Sequence, residues 1–248
     1  LWNRIRFLLN SGDTHEILRS TQEVLRRAED AQAPHFTTLA QEAEGLVLMW
    51  RGELARARSV LTSAYEYASQ NCMPHAGVVL GGLLAACLWE LGELGPAQEL
   101  ADQVLERLKG MQLTLSHVMF GLDALIDVYV KLGERRGQVP PQLRFALRYL
   151  RRLASRTPVA EPCLERCRGR VAWLSGEPVR AIRHMQRSRD LARRLSLPRD
   201  EGLACYFLGR FAASAAGRSL TREHARTYLE AALALFTPIG AHGDAARV

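Results

Sequence analysis

The stretch ELGELGPAQEL, residues 90–100, decides how the rest of the chain is read. It holds a Gly92-Glu93 step followed by Ala97 and Leu100. Variants recur as RGELARARSVL from Arg51, SGEPVRAIRHM from Ser175 and, more loosely, SGDTHEILRST from Ser11. Aligning the glycines gives Gly12, Gly52, Gly92, Gly133, Gly176 and Gly217, at spacings of 40, 40, 41, 43 and 41 residues. A fixed period in this range marks a stacked repeat. Each unit reads as two helices with the glycine between them, where a residue lacking Cβ takes the left-handed conformation that ends a helix. The acidic residue that follows (Asp13, Glu53, Glu93, Glu134 or Glu177) complements the positive end of the second helix.

Other positions repeat in phase. Pro34, Pro74, Pro158 and Pro198 lie 18 or 19 residues before their glycines, where proline's fixed φ suits the first turn of a helix. Seven residues before the glycine stands a small residue, Gly45, Ala85 or Gly169, which lets the paired helices approach closely. In the last unit Leu208-Gly209 fits this place if the turn is counted from Ala216. After the turn come Ala57, Ala97 and Ala181, then apolar residues such as Leu61 and Ala64 at steps that keep to one helix face. The fourth and sixth units carry insertions, RRGQVPPQL and RSLTRE, before their second helices. The units run over residues 1–31, 32–72, 73–112, 113–156, 157–196 and 197–248 of a single repeat domain.

This pattern resembles the tetratricopeptide family. Leu208-Gly209, Gly52/Ala57/Leu61/Ala64 and Gly92/Ala97/Val104 carry the likeness. The period near 40 departs from the family's 34, and the family's closing proline is replaced by one that opens the next unit. The longer variety is similar to the helical arms of large bacterial signalling ATPases and of LuxR-type or maltose-regulator-type activators, and the ending YLEAALALFTPIGAHGDAARV resembles the tails of such arms. The resemblance implies an all-α, right-handed superhelical solenoid of about six antiparallel helix pairs, with first helices lining a concave face and second helices forming a convex one. It also implies a protein-interaction or effector-sensing part of a bacterial signal-transduction or transcription regulator. Such an array needs polar caps at both ends, and neither LWNRIRFLL nor GDAARV reads as one. With an opening Leu1, this suggests a piece of a longer protein.

Composition narrows the class. No apolar run approaches the roughly 18 residues that span a bilayer, and no signal peptide opens the chain. The five cysteines, Cys72, Cys87, Cys163, Cys167 and Cys205, are odd in number and sit in apolar segments, which argues for a reducing cytoplasm. Cys163 and Cys167 share a helix face at a spacing that suits a metal, but no second ligand pair accompanies them, so they read as buried helix residues. Of 33 basic residues only Lys109 and Lys131 are lysines, a bias that fits a GC-rich genome. Neither lysine sits in a phosphate-cradling Gly-Lys-Ser/Thr loop, and no GxSxG, HExxH or GxGxxG motif is present. His35, His75 and His117 follow the repeat phase at helix starts. The chain is therefore expected to be non-catalytic, with no cofactor and no metal.

A binding surface is the better expectation. By the resemblance, ligands lie on the concave face, at first-helix positions ten, six and three residues before the turn. Those positions hold Glu42, Trp89, Asp123, Asp127, Arg166, Arg170 and Trp173, joined by Tyr206 and Arg210 if the last unit is counted from Ala216. Asp123 with Arg166, and Asp127 with Arg170, occupy equivalent places in adjacent units, so ion pairing between neighbouring helices has the stronger claim on them. Trp89 and Trp173 are open to the same reading as packing between units.

Charge is uneven. Residues 31–110 hold five basic and nine acidic groups, a net of −4, whereas residues 111–200 hold 18 basic and eight acidic, a net of +10. Arg144, Arg148, Arg151 and Arg152 form one stripe at helical spacing, and Arg180, Arg183, Arg187 and Arg194 another, both on second helices. Such a surface suits phosphates, an acidic partner or the acidic half of another copy, although a solvated arginine-rich face from a biased genome is the simpler reading. The expected partners are a protein or peptide, an ATPase or DNA-binding domain of the same chain, or a small effector. Membrane contact is not expected. Direct nucleic-acid contact is not favoured, since no recognition helix-turn-helix or aromatic-basic stacking module is present. The alternatives to the groove reading are nevertheless a basic platform for nucleic acid or nucleotide phosphates and a self-assembling scaffold.

Overall fold

A computed structural model describes residues 2–111, 117–214 and 222–248, without the side chains of residues 2, 3, 6 and 222. Among these residues the secondary structure is helical throughout. In chain order the helices are α1 (Trp2–Ser11), α2 (Thr14–Asp30), α3 (Pro34–Arg51), α4 (Leu54–Gln70), α5 (Pro74–Glu90), α6 (Leu94–Leu108), α7 (Val118–Arg136), α8 (Pro141–Ala154), α9 (Glu161–Leu174), α10 (Pro178–Arg194), α11 (Pro198–Ala213), α12 (Arg222–Phe236) and the short α13 (His242–Ala245). A single 3-10 turn, Pro158–Ala160, leads into α9. None of the helices is long and apolar enough to cross a membrane.

The helices pack in sequence-adjacent pairs, and the first helix of each pair also packs on the first helix of the next, as α5 does on α7 and α7 on α9. The expected punctuation explains this order. Gly12, Gly52, Gly92 and Gly176 all have positive φ, from 74° to 84°, at the turn inside their pairs. Pro34, Pro74 and Pro198 open α3, α5 and α11, and Pro158 opens the 3-10 turn. The small residues ahead of the turn face the partner helix: a Cβ on Gly45 would lie 2.4 Å from Leu61, and one on Gly169 2.9 Å from Met185. Between pairs the chain reverses through Gln32, Cys72 and Ser196, non-glycine residues at φ of 50–55°.

The acidic residues after four turns stand at the helix N-termini, as expected. Asp13 caps α2 with its carboxylate, accepting from the backbone N–H groups of His15 and Glu16. Glu53, Glu93 and Glu177 hold the equivalent place without a side-chain cap and pair with arginines: Glu53 with Arg51 and Arg56, Glu93 with Arg58, Glu177 with Arg180. One expectation is corrected, at the fourth turn. Gly133 lies inside α7 and Glu134 with it; the left-handed residue that ends α7 is Gly137, at φ 67°. Part of the insertion is thus spent on one extra turn of α7. The sixth turn, with Ala216, Gly217 and most of RSLTRE, lies outside the described residues.

Gly133 keeps its small side chain for another reason. A Cβ there would lie 2.5 Å from Leu174 and 2.9 Å from the carbonyl oxygen of Gln138, whereas nothing stands within 4 Å of one built on Gly137. Gly133→Ala is therefore expected to cost about 1–3 kcal/mol of stability through overpacking. Gly137→Asn should cost less than about 1 kcal/mol, because asparagine tolerates the left-handed region. Thermal unfolding of the two variants checks the assignment, and the order would reverse if the chain turned at Gly133.

The ends expected to need caps cover one another. The segment after α12 returns to the first units: the Thr14 N–H donates to the Ile239 carbonyl at 3.0 Å, and the Thr14 hydroxyl to that of Gly240 at 3.3 Å. α13 packs on α3, with Gly243 so close to Gly52 that a Cβ on Gly243 would meet the Gly52 nitrogen at 2.5 Å. Ile5, Leu8, Leu9, Phe236 and Ala241 are buried.

Candidate functional site

The return of the C-terminal segment encloses a space bordered by α3, α5, α7, α9, α11 and α13. It contains a cavity of about 90 Å³, whose lining includes Trp50, Phe120, Asp127, Arg170, Phe207 and Arg247. This is room for several water molecules or a small polar ligand.

Charged side chains cross this interior as a ladder. Arg166 of α9 donates to Asp123 of α7 at 2.6 Å and to Asp200 of α11 at 2.8 Å. One helical turn further along, Arg170 donates to Asp127 at 2.6 Å. Asp127 also pairs with Lys131 at 2.6 Å, and Lys131 with Glu90 of α5. Glu90 is reached from the other side by Arg247 at 3.1 Å, while Asp244 of α13 holds Arg199 at 2.7 Å. Arg199 in turn lies over Trp50, 4.4 Å from its ring centre, and Arg170 over Phe207 at 4.8 Å. Acids and bases balance along the ladder, which lets Arg166, Arg170 and Asp244 sit buried while the others are partly open to solvent and Arg247 is exposed.

The arginines control the protonation of their partners. Burial works against ionising Asp123, but Arg166 outweighs it and holds that carboxyl below the usual range. Asp127 is likewise opposed by burial and held far down by Lys131 and Arg170. Asp200 goes the other way: burial outweighs Arg166 and raises it. A depressed carboxyl contributes stability that is present above its unfolded pKa, about 4, and lost as pH falls through the folded value. The melting temperature is therefore expected to drop as pH is lowered below about 4, and to drop less steeply in Asp127→Asn. Parallel melting curves from pH 7 to pH 2.5 test this; equal slopes for the two proteins would remove Asp127 from the account.

Cys163 and Cys167 meet Asp123 here, with one ligand atom from each lying within 4.8 Å of the others. The geometry alone would suit a metal, but the Arg166 guanidinium stands in the cluster, 2.6 Å from Asp123 and 3.9 Å from the Cys163 sulfur. A cation's place is taken by an arginine. The Cys163 thiol is pushed well up, first by its hydrogen bond with Cys167 and then by burial and Asp123.

Of the concave-face candidates, Asp123, Asp127, Arg166 and Arg170 are brought together on the cavity, and the pairings between adjacent units are those the spacing allowed. The others lie apart from it. Glu42 is buried, 4.0 Å from His117. Trp89 is half-buried against the core. Trp173 stacks flat on Phe211, ring centres 4.0 Å apart. Tyr206 packs edge-on to Phe207, and the exposed Arg210 lies over the Tyr206 ring at 5.7 Å. The sequence reading missed Glu90, Lys131, Arg199, Asp200, Asp244 and Arg247 from the ladder, and Trp50, Phe120 and Phe207 from the cavity wall. For Lys131 a signal was present, since it stands four residues after Asp127 on one helix face. For Asp244 and Arg247 none was, because their place depends on the chain's return.

The basic stripes of α8 and α10 lie elsewhere, exposed on the far side of those helices from their buried faces. No protein-family model matches the sequence, and no curated protein matches it either.

Proposed function

We propose that the chain is the non-catalytic sensing arm of a bacterial, cytoplasmic regulatory protein. In this reading it is a right-handed superhelical solenoid of tetratricopeptide-like helix pairs, and it binds a small polar ligand or a peptide segment in its concave groove. The observation that carries this reading is the charge ladder bordering a cavity that also presents Trp50, Phe120 and Phe207. Convergent charges beside aromatic walls are what selective small-ligand sites use. Carboxyls held ionised by arginines suit recognition of fixed charge better than proton transfer. A ligand carrying both signs of charge could exchange pairings with Asp127, Arg170, Glu90 and Arg247, and so alter how α13 sits on α3. The position of whatever domain α13 leads to, an ATPase or a DNA-binding domain of the same protein, would then report the ligand.

The test is calorimetric titration of the purified chain with amino acids and dipeptides carrying one acidic and one basic group, with Ala124→Leu as the control. Ala124 lines the cavity and takes no part in the ion pairs, so leucine fills space and leaves the ladder intact. Binding by the parent chain that is weakened at least tenfold in Ala124→Leu, at unchanged melting temperature, supports the groove. Binding that survives in the variant, or none in the panel, removes this support.

A further inference from the structure

We infer that the outer face of α8 and α10 is a docking surface for the phosphate backbone of duplex nucleic acid, read without regard to base sequence. This surface is separate from the interior ladder and does not depend on the groove reading.

The two helices present a charge pattern unlike the rest of the chain. α8, PQLRFALRYLRRLA, contains no acidic residue, and α10, PVRAIRHMQRSRDLARR, contains only Asp190. Their apolar sides are buried through Leu143, Leu150, Ala181 and Met185. The arginines Arg144, Arg148, Arg151, Arg152, Arg180, Arg183, Arg187 and Arg194 are all exposed. Elsewhere on the molecule exposed arginines are commonly paired, as Arg4 is with Glu16, Arg58 with Glu93 and Arg226 with Glu230. Of these eight, Arg180 alone has an acidic partner among the described residues, Glu177. Arg148 and Arg152 lie over the rings of Phe145 and Tyr149, which orients them without neutralising them. A bias in codon usage accounts for many arginines; it does not account for acids being absent from the same two helices.

Placement brings one arginine of each stripe to a shared groove. The groove, of about 440 Å³, runs between α8 and α10 over α9, with Arg151 on one wall, Arg180, Glu177 and His184 on the other, and Arg168 and Ser175 below. There Arg168 and His184 pair with the buried Glu165. At a rise of 1.5 Å per residue, Arg144 to Arg152 spans about 12 Å and Arg180 to Arg194 about 21 Å. Duplex DNA carries about one negative charge per 1.7 Å of axis, so either stripe faces several phosphates. The character of the surface favours a polyanion over an acidic protein. Protein interfaces are built around a charge-poor core with aromatic or aliphatic anchors, and here the large exposed apolar residues are Phe145, already under Arg148, and Val179. Interfaces with DNA are polar and strongly positive. The lack of a base-reading helix is no obstacle to a contact made with phosphates only.

The experiment is fluorescence anisotropy of a labelled 24-base-pair duplex of arbitrary sequence, titrated with the purified chain from 50 to 200 mM NaCl. The expected result is binding that weakens steeply with salt, log affinity against log salt falling with a slope of about −0.9 per phosphate neutralised. In Arg144→Gln/Arg151→Gln/Arg183→Gln/Arg187→Gln the slope should become shallower by about 3–4 and the affinity at 100 mM fall at least tenfold. None of these four side chains has an ion pair or hydrogen bond to a described residue, so the melting temperature should not move. Arg4→Gln/Arg19→Gln/Arg56→Gln/Arg58→Gln removes equal charge from the first two units and should lose little. Absence of binding at 50 mM salt overturns the inference. Equal losses in the two variants overturn it as well, reducing the effect to net charge. Displacement of the duplex by poly-glutamate as effectively as by unlabelled duplex, charge for charge, would give the face to acidic proteins instead.

Discussion

Arg166→Ala is expected to lower the free energy of unfolding by about 3–5 kcal/mol, the usual cost of removing one partner from a buried charge cluster. Arg166 is 3% exposed and bridges Asp123 and Asp200 across three helices. Without it two carboxylates face each other in a site that water reaches poorly. Each must then protonate or draw in solvent. For a chain of this length the loss corresponds to a fall of about 10 °C in melting temperature. The pair itself adds little relative to an apolar substitute, so Asp123→Leu/Arg166→Met/Asp200→Leu should recover most of what Arg166→Ala loses. Scanning calorimetry of the parent and both variants decides the matter; a loss under 1 kcal/mol for Arg166→Ala would mean that the interior is far wetter than its packing implies. The same argument applies one turn further along the ladder. Charge reversal at Arg170 would set a new carboxylate against Asp127 and damage folding first.

The second large effect is expected at Gly121. Helix propensity alone favours alanine there by about 1 kcal/mol. Packing reverses the sign: a Cβ on Gly121 would lie 2.5 Å from the Val79 Cα, and one on Gly82 2.3 Å from the Gly121 carbonyl oxygen. α7 and α5 thus touch backbone to backbone, and no side-chain rotation relieves the clash. Gly121→Ala should destabilise by about 3 kcal/mol as the two helices are forced apart. Gly77→Ala on the same α5, where the nearest atom is the Arg107 guanidinium nitrogen at 3.6 Å, should instead be neutral or stabilising by up to about 1 kcal/mol. Urea unfolding of both variants tests the contrast, and two similar values would show that the α5–α7 approach is not as close as described.

These residues also show what a single sequence can and cannot reveal. The turn glycines and opening prolines were legible because their constraint is local: a positive φ or a fixed φ is demanded by the chain's own geometry. Gly82 and Gly121 carried no such signal. Gly82 reads as part of the nearly featureless apolar run GVVLGGLLAAC and Gly121 as a lone glycine in VMFGLDAL, and the reason for each is a neighbouring helix more than thirty residues away. Gly133 misled because its repeat phase is genuine. The 43-residue offset that relates Asp123 to Arg166 also relates Gly133 to Gly176, so the register across the helices holds while α7 runs on to Gly137. Four residues of the interior ladder, Asp123, Asp127, Arg166 and Arg170, were visible as matched charges in adjacent units. Lys131 of α7 joins them, with Glu90 and Asp200 from neighbouring helices. Arg199, Asp244 and Arg247 became partners of one another and of Glu90 only through the chain's return to its first helices.

That return bears on how the protein is made. Most contacts in a row of helix pairs join near neighbours and form quickly, because little chain must be closed to make them. The bond from Thr14 to Gly240 joins residues 226 apart. During synthesis at about 5–20 residues per second, the first pairs are complete many seconds before their last partner leaves the ribosome. Until it arrives, Trp50 lacks the cover that Arg199 and the returning segment give it. Docking of α13 is thus expected late in folding, and it buries Asp244 against Arg199. A nascent chain halted before Arg199 should be helical and compact, yet leave Trp50, 3% exposed in the finished protein, open to solvent.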